Sequence, residues 1–384
     1  MSVTPRANLI ARAVIAQFNK LPAKRKPTVR DNGLHEWVPL SGIVAEQDGN
    51  LTCLALATGM KCLPASKLAD ANGNAIHDWH AEVLAMRAFN RFLLDECEAS
   101  ARHGRASQVI DVVVPDGRIG GRPFRIKDNV RLHMYCSEAP CRAYFSQLGI
   151  VRRKPSRGDA PPTLSKSCSD KITLKQCTSL LSSLTSLLVD PSSAYIDRLV
   201  LPSSQYSASA CQRAFSGRLR PLVDDDEGRP SAPPRPGWPG GYRFAPFQVE
   251  TTDEEFAFSR RSAVARAGTK IAPSNLAAVW TAGGVEETVL GGVLQGRRPF
   301  EDKGASGVSR RRMWVAAATV AATLRADAWG HVQRCLAGGR QTYRHVKDCH
   351  LLADRRRVKR EVCESALVGW VPNRGDEGFS IALP

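Results

Sequence analysis

The chain has 384 residues, 43% hydrophobic and 24% charged, a balance that fits a folded protein with one large core or two ordinary ones and excludes a disordered tail. No run of about 18 uncharged apolar residues occurs, which excludes a transmembrane helix. Lysine and arginine outnumber aspartate and glutamate by 54 to 37, and the formal net charge of +17 points to a polyanionic partner such as nucleic acid or phosphates.

Eleven cysteines are too sparse for a secreted disulfide scaffold, and with no secretory leader they read as mostly reduced thiols, some open to metal. Residues 1–30 are basic and lack any acid, which superficially suits a mitochondrial transit peptide. The competing reading is preferred: Leu9, Ile10, Ala13, Val14 and Phe18 fall at helical spacing and predict a domain-opening helix, with a basic loop through Lys24-Arg25-Lys26-Pro27. Residues 1–37 are taken as this helix and loop and 38–384 as the main domain, in a protein of the cytoplasm or nucleus.

Farther along, Ser41–Ala45 and Leu51–Thr58 read as strands joined by the turn Gln47-Asp48-Gly49-Asn50. From His80 the period changes to that of a helix, with Val83, Met86, Phe89, Leu93 and Cys97 inward and Arg87, Arg91 and Asp95 at polar positions. Val109–Val114 and Asn129–Cys136 are strand candidates, the second running into Ser137-Glu138-Ala139-Pro140-Cys141. A long helix is expected over Lys171–Val189, a strand over Tyr195–Leu201 and a helix over Ser209–Arg218. Residues 223–240, acidic and then proline-rich, read as a mobile insertion. Strands over Asn275–Thr281 and Thr288–Leu294 and helices over Arg310–Ala328 and Asp354–Leu367 complete an alternating α/β pattern in a single layered domain.

The chemistry concentrates in His80-Ala81-Glu82, Pro140-Cys141 and Cys168. One imidazole and two thiolates are three of the four ligands of a tetrahedral Zn2+, with the fourth position open to water. A carboxylate two residues after the histidine is what zinc-dependent nucleobase deamination uses to shuttle protons. A rival is a closed structural zinc site, for which His77 and Cys136 are the nearest fourth ligands. His133, His345 and Cys349-His350 read as ordinary polar or core residues.

Several motifs carry a resemblance. Thr58-Gly59-Met60-Lys61-Cys62, His77-Asp78-Trp79-His80-Ala81-Glu82-Val83, Ser137 to Cys141 and Ser167-Cys168-Ser169-Asp170-Lys171-Ile172 resemble the adenosine deaminase domain. That domain is shared by eukaryotic tRNA-specific adenosine deaminases and double-stranded RNA editing adenosine deaminases. Leu201 to Tyr206, Gly304 to Arg312 and Gly369-Trp370-Val371 are similar too. The resemblance spans about Val38 to Phe379, leaves no room for an added double-stranded RNA-binding domain, and is nearest to the tRNA enzymes, which make inosine at position 37 of alanine tRNA. It implies a cytidine deaminase-like α/β/α sandwich with family-specific C-terminal elaborations. It also implies a hydrolase that edits tRNA without an obligate protein partner or a membrane.

Residue by residue, it implies that His80, Cys141 and Cys168 hold zinc and that Glu82 is the proton shuttle. It further implies a buried inositol hexakisphosphate held by Arg87, Lys171, Arg310, Tyr343, Lys347, Lys359 and Trp370. Leu174 stands where the family commonly has arginine, beside Lys175, and Asn373 where a lysine is common, beside Arg374. After Cys141 the family continues Gly-Asp-Ala-Ser into a helix, whereas this chain goes straight to Arg142-Ala143-Tyr144-Phe145-Ser146, and Cys168 follows Cys141 by only 27 residues. A ligand-bearing helix is thus expected to be missing, through a deletion or a wrongly joined splice junction. The alternative reading is a deaminase-fold RNA-binding protein with impaired catalysis.

Overall fold

The computed structural model describes residues 4–114, 121–140, 163–223 and 238–382. Twelve strands lie among them: β1 (His35–Trp37), β2 (Leu40–Gln47), β3 (Asn50–Thr58), β4 (Ile110–Val112), β5 (Phe124–Ile126), β6 (Val130–Cys136), β7 (Ile196–Pro202), β8 (Gln248–Thr252), β9 (Ile271–Pro273), β10 (Leu276–Thr281), β11 (Glu286–Leu290) and β12 (Val293–Leu294). The helices are α1 (Pro5–Asn19), α2 (Ala81–His103), α3 (Cys168–Thr178), α4 (Ala208–Phe215), α5 (Arg220–Val223), α6 (Arg260–Ala267), α7 (Arg310–Thr323), α8 (Ala326–Leu336), α9 (Tyr343–Asp348) and α10 (Ala353–Ser365).

Eight strands make the central sheet, in the order β12-β11-β10-β3-β2-β6-β7-β8. The β6–β7 and β7–β8 pairs are parallel and the others antiparallel. The β2–β3 hairpin turns through Asp48 and Gly49, both at positive φ, the conformation a two-residue hairpin loop demands.

Alternation along the strands sorts the core into two layers. Val44, Leu56, Tyr135, Val200 and Ala278 turn toward α1, against Ala7, Ile10, Ala11, Val14 and Phe18. Ile43, Ala55, Ala57, Met134 and Leu199 turn the other way, against Leu84, Phe89 and Leu93 of α2 and Trp314 and Ala317 of α7. The result is an α/β/α sandwich with α3 and α10 packed together beside it through Leu174, Cys177, Val358 and Val362.

Several expected elements are revised. The buried stripe of α1 passes through Ala7 and Ala11, so Leu9 is left half exposed. Helix α2 is covered nearly all round, and Arg87, Arg91 and Asp95 are only partly accessible because α7 and the Ser306–Val308 turn close over them. The helix expected over Lys171–Val189 stops at Thr178, where Ser179 adopts φ 57° and Ser182 accepts from the Thr185 N–H, serine competing for the backbone. Thr288–Leu294 is two strands, because Gly291 and Gly292 reverse the chain between them; a Cβ on Gly292 would meet the Ile76 carbonyl at 2.7 Å. Arg310–Ala328 is likewise two helices, and Gln333 bridges the break by donating to the carbonyls of Ala321 and Leu324. Most of the 223–240 insertion lies outside the described residues. Its C-terminal end does not: Trp238 donates to Glu361 of α10 at 2.9 Å.

Candidate active site

The parallel strands β6 and β7 end at the same edge of the sheet, and there the N-termini of α2 and α3 meet. Ligand sites in such sheets lie outside the carboxyl ends of the parallel strands. Two of the sequence motifs are neighbours for a backbone reason. Residues 59–63 run alongside 77–81, with the Trp79 N–H bonded to the Lys61 carbonyl, Leu63 to His77 and Ala81 to Gly59. Gly59 sits at φ 140°, and a Cβ there would lie 2.1 Å from the Trp79 carbonyl oxygen, so only glycine allows the approach.

His80 is the N-cap of α2 and Glu82 lies in its first turn. Asp78 fixes the imidazole: its Oδ1 contacts His80 Nδ1 at 2.6 Å and accepts the His80 backbone N–H at 2.9 Å. Asp78 Oδ2 accepts from Ser165 and from the Lys171 ammonium, and Lys171 donates to Ser165 at 2.8 Å. Burial works to raise the Asp78 pKa, but the charges of Lys171 and His80 outweigh it and hold the carboxyl well below the usual range. A carboxylate on Nδ1 keeps a proton there and leaves Nε2 as the electron-pair donor.

Cys168 opens α3, whose N-cap Ser167 accepts the Asp170 N–H at 3.1 Å, while Asp170 itself is ion-paired with Arg218. The Cys168 thiol is hydrogen-bonded to Glu82. Burial raises the Glu82 pKa, opposed by His80 and by that hydrogen bond. Such a carboxyl can both take and give a proton near neutral pH.

His80, Glu82 and Cys168 are therefore brought together, and Cys141 lies outside the described residues. Among the described residues no group of three His, Cys, Asp or Glu side chains could hold a metal. The donors present nevertheless suit zinc: an imidazole oriented through its other nitrogen, and a sulfur at a helix N-terminus, where amide dipoles favour thiolate. The two candidate fourth ligands of a structural site go elsewhere. His77 Nε2 is 2.7 Å from Asp376 Oδ2, and Cys136 is 3.3 Å from the Ser41 hydroxyl. Cys136 still senses Glu82, whose charge adds to burial in pushing its thiol pKa well up.

Beside this site lies a cavity lined by Arg87, Lys171, Lys175, Arg310, Tyr343 and Trp370, with Met86, Leu174 and Met313 among its apolar wall. Five of the seven residues proposed from the sequence thus share one chamber. Lys347 and Lys359 stand at its edge instead, their ammonium groups 5.9 Å and 5.8 Å from the rings of Tyr343 and Trp370, with Lys347 paired to Glu377 at 3.0 Å. Lys175 takes the place left by Leu174, whereas Arg374 stays exposed and does not substitute for Asn373. Lys166, 5.5 Å from the Trp370 ring, and Arg355, bonded to the carbonyls of Thr178 and Leu181, also belong to this cluster. No spacing in the sequence marks either of them.

Like charges are crowded here. Burial, then Arg310, lowers the Arg87 pKa to about 10; burial, then Lys171, lowers that of Lys166 to about 8. Lys175 is held well below its usual value by burial and by Arg355. Burial and Arg310 bring His77 down to about 4. Cations in this state stabilise an anion more than they stabilise one another.

The adenosine-deaminase (editase) domain model matches residues 55–144, ending just past Cys141, where the family pattern breaks off. The chain is similar to tRNA-specific adenosine deaminase 1 of Schizosaccharomyces pombe, 31% identical over 408 aligned positions that cover 96% of both proteins. That aligned span exceeds the 384 residues, so the relative carries positions this chain lacks. The enzyme of the same name from Saccharomyces cerevisiae is 30% identical over 56% of this chain and 64% of its own length. The rat double-stranded RNA-specific adenosine deaminase matches at 32% over 23% of this chain and 7% of its own. The α/β/α sandwich with a histidine–glutamate pair at one helix start and a cysteine at the next is that of the adenosine-deaminase (editase) domain. Within that group the chain belongs to the family of tRNA-specific adenosine deaminases.

Proposed function

We propose that this chain converts adenosine to inosine in tRNA by hydrolysis, releasing ammonia, and that its substrate is position 37 of alanine tRNA. The observation that supports this most is the junction of α2 and α3, where Glu82 stands between His80 and Cys168. His80, Cys168 and Cys141 would hold the zinc, which supplies an acidified water at neutral pH. Glu82, its pKa raised by burial, accepts the water proton, passes it to the adenine ring nitrogen, and protonates the amine as it leaves. Asp78 and Lys171 hold the imidazole in place throughout. An adenine in an anticodon loop is already partly unstacked, so drawing it out costs less than flipping it from a duplex.

The chamber at Arg87, Lys175 and Arg310 suits inositol hexakisphosphate as a structural anion, and Lys171 links it to Asp78. The second reading is an RNA-binding protein of impaired catalysis, favoured by the short segment after Cys141 and by the domain match that ends at residue 144.

The test is inosine formation in alanine tRNA by the purified chain and its Glu82→Ala variant, with zinc measured in both. The variant is expected to bind zinc and tRNA and lose at least about a hundredfold in turnover. Inosine from the variant at the wild-type rate would remove Glu82 from the mechanism. A zinc-free, inactive wild-type chain would favour the second reading. Sequencing the transcript across Cys141–Arg142 then tells a deletion from a misjoined exon.

A further inference from the structure

Cys335, at the end of α8, and Cys349, just after α9, bring their side chains into hydrogen-bond contact on the far side of Trp314 and Tyr343 from the zinc-ligand candidates. Cys335 is buried and Cys349 is half-buried, and both are free thiols. The pair sits in a positive setting. Arg356 donates to the carbonyls of Lys347 and Cys349, both at 2.8 Å, and Arg122 to the carbonyl of Leu351 at 2.8 Å. The backbone N–H groups of Leu351 and Leu352 are directed at the Cys349 sulfur. The Cys335 S–H bond and these amides draw the Cys349 pKa below the usual thiol value against the effect of burial, and Cys335 is raised in turn. The deaminase reading uses neither residue.

We propose that Cys349 and Cys335 are a thiol–disulfide exchange site for an anionic low-molecular-weight disulfide such as glutathione disulfide, Cys349 attacking and Cys335 resolving. The Cys349 thiolate attacks one sulfur of glutathione disulfide, the disulfide bond breaks, and one glutathione thiolate leaves. Cys335 then gives up its proton and attacks the Cys349 sulfur of the mixed disulfide, expelling the second glutathione thiolate. Two electrons pass from the protein thiols to glutathione disulfide, and the two thiol protons end on the two glutathiones. Arg122 and Arg356 attract the anionic co-reactant and stabilise the thiolates. The new bond ties α8 to the α9–α10 corner, which carries Tyr343 and Lys347 at the edge of the polybasic chamber. Closing that loop restricts the unfolded chain, so the oxidised form melts at a higher temperature.

The full-length, zinc-loaded chain is incubated with glutathione disulfide, its remaining thiols are blocked, and peptides are mapped without reduction. The expected product is a Cys335–Cys349 cross-link that dithiothreitol reverses, together with a rise in melting temperature lost on reduction. The Cys335→Ser variant should stop at a glutathione adduct on Cys349, formed about tenfold or more faster than at half-buried Cys363, whose thiol pKa burial raises. A Cys349 adduct in the wild type with no cross-link would overturn the resolving role. Equal labelling of Cys349 and Cys363 in the variant, or no reaction at Cys349 in the wild-type protein, would overturn the site.

Discussion

Asp78 divides its two oxygens between two tasks, one toward the His80 imidazole and one toward Lys171 and Ser165. Replacing it by asparagine keeps the size but puts an amide donor against one of these partners. Outer partners of metal-binding histidines typically contribute 10–100-fold in metal affinity, so Asp78→Asn is expected to weaken zinc binding by about that factor, read by competition with a chromophoric chelator. His77 makes a different prediction. Its folded pKa, about 4, lies below its ordinary value, so the folded protein keeps it neutral where the unfolded chain takes up a proton. Its contribution is present in full above about pH 6.5 and is lost as the pH falls toward 4. Urea unfolding at pH 7.5 and pH 5 should show a smaller loss of stability for His77→Gln than for the wild type. The His-x-Glu pair and Cys168 stand out in the sequence because their residue types carry the chemistry. Asp78 does too, as part of a motif, but its bond to Lys171 spans 93 residues and follows no period.

Helix α1 shows how an element is written locally and fixed from outside. Thr4 caps it by accepting the Ala7 N–H at 3.1 Å, and Pro5 opens it, a position where the missing N–H costs nothing. The same device recurs at Ser167, Ser207, Ser259, Ser309 and Thr342, each accepting an N–H from the first turn of its helix. Those starts are legible because a hydroxyl before an apolar period has one obvious task. What holds α1 down is tertiary: Phe18 is fully buried, with ring centroids of Phe256 and Phe258 at 4.9 Å and 5.9 Å. Phe18→Ala is expected to cost about 3–5 kcal/mol in chemical unfolding, since the neighbouring rings cannot refill the space without moving the sheet. A loss under about 1 kcal/mol would mean that α1 adds little to the core. The long helix expected over Lys171–Val189 is the opposite case. Its apolar spacing fits a helix, but the serines at 179, 182 and 183 turn the chain so that the Leu180 N–H reaches the Ala194 carbonyl.

Over the whole molecule, the basic excess has two destinations. Part of it faces solvent, and part converges on the chamber formed by α2, α3, α7, α9 and the segment around Trp370. Arg87→Gln removes one buried cation there while keeping the side chain long. If a polyphosphate is held as proposed, the variant should give less soluble protein, with less phosphorus per chain after ashing, and change the Michaelis constant little among the molecules that fold. Phosphorus-free wild-type protein of normal stability would exclude the ligand.

By itself the sequence determined the class of chemistry, the hairpin at Asp48-Gly49, most helix starts and the family, because each depends on residue types a few positions apart. Tertiary structure decided which charges are buried. The partners of Arg87, Lys175 and Arg355 are carbonyls and other cations contributed by distant elements, and the pairing of Cys335 with Cys349 depends on how α8 meets the turn after α9. Electrostatic energy depends on distance and on exclusion of water, and neither is written in residue order.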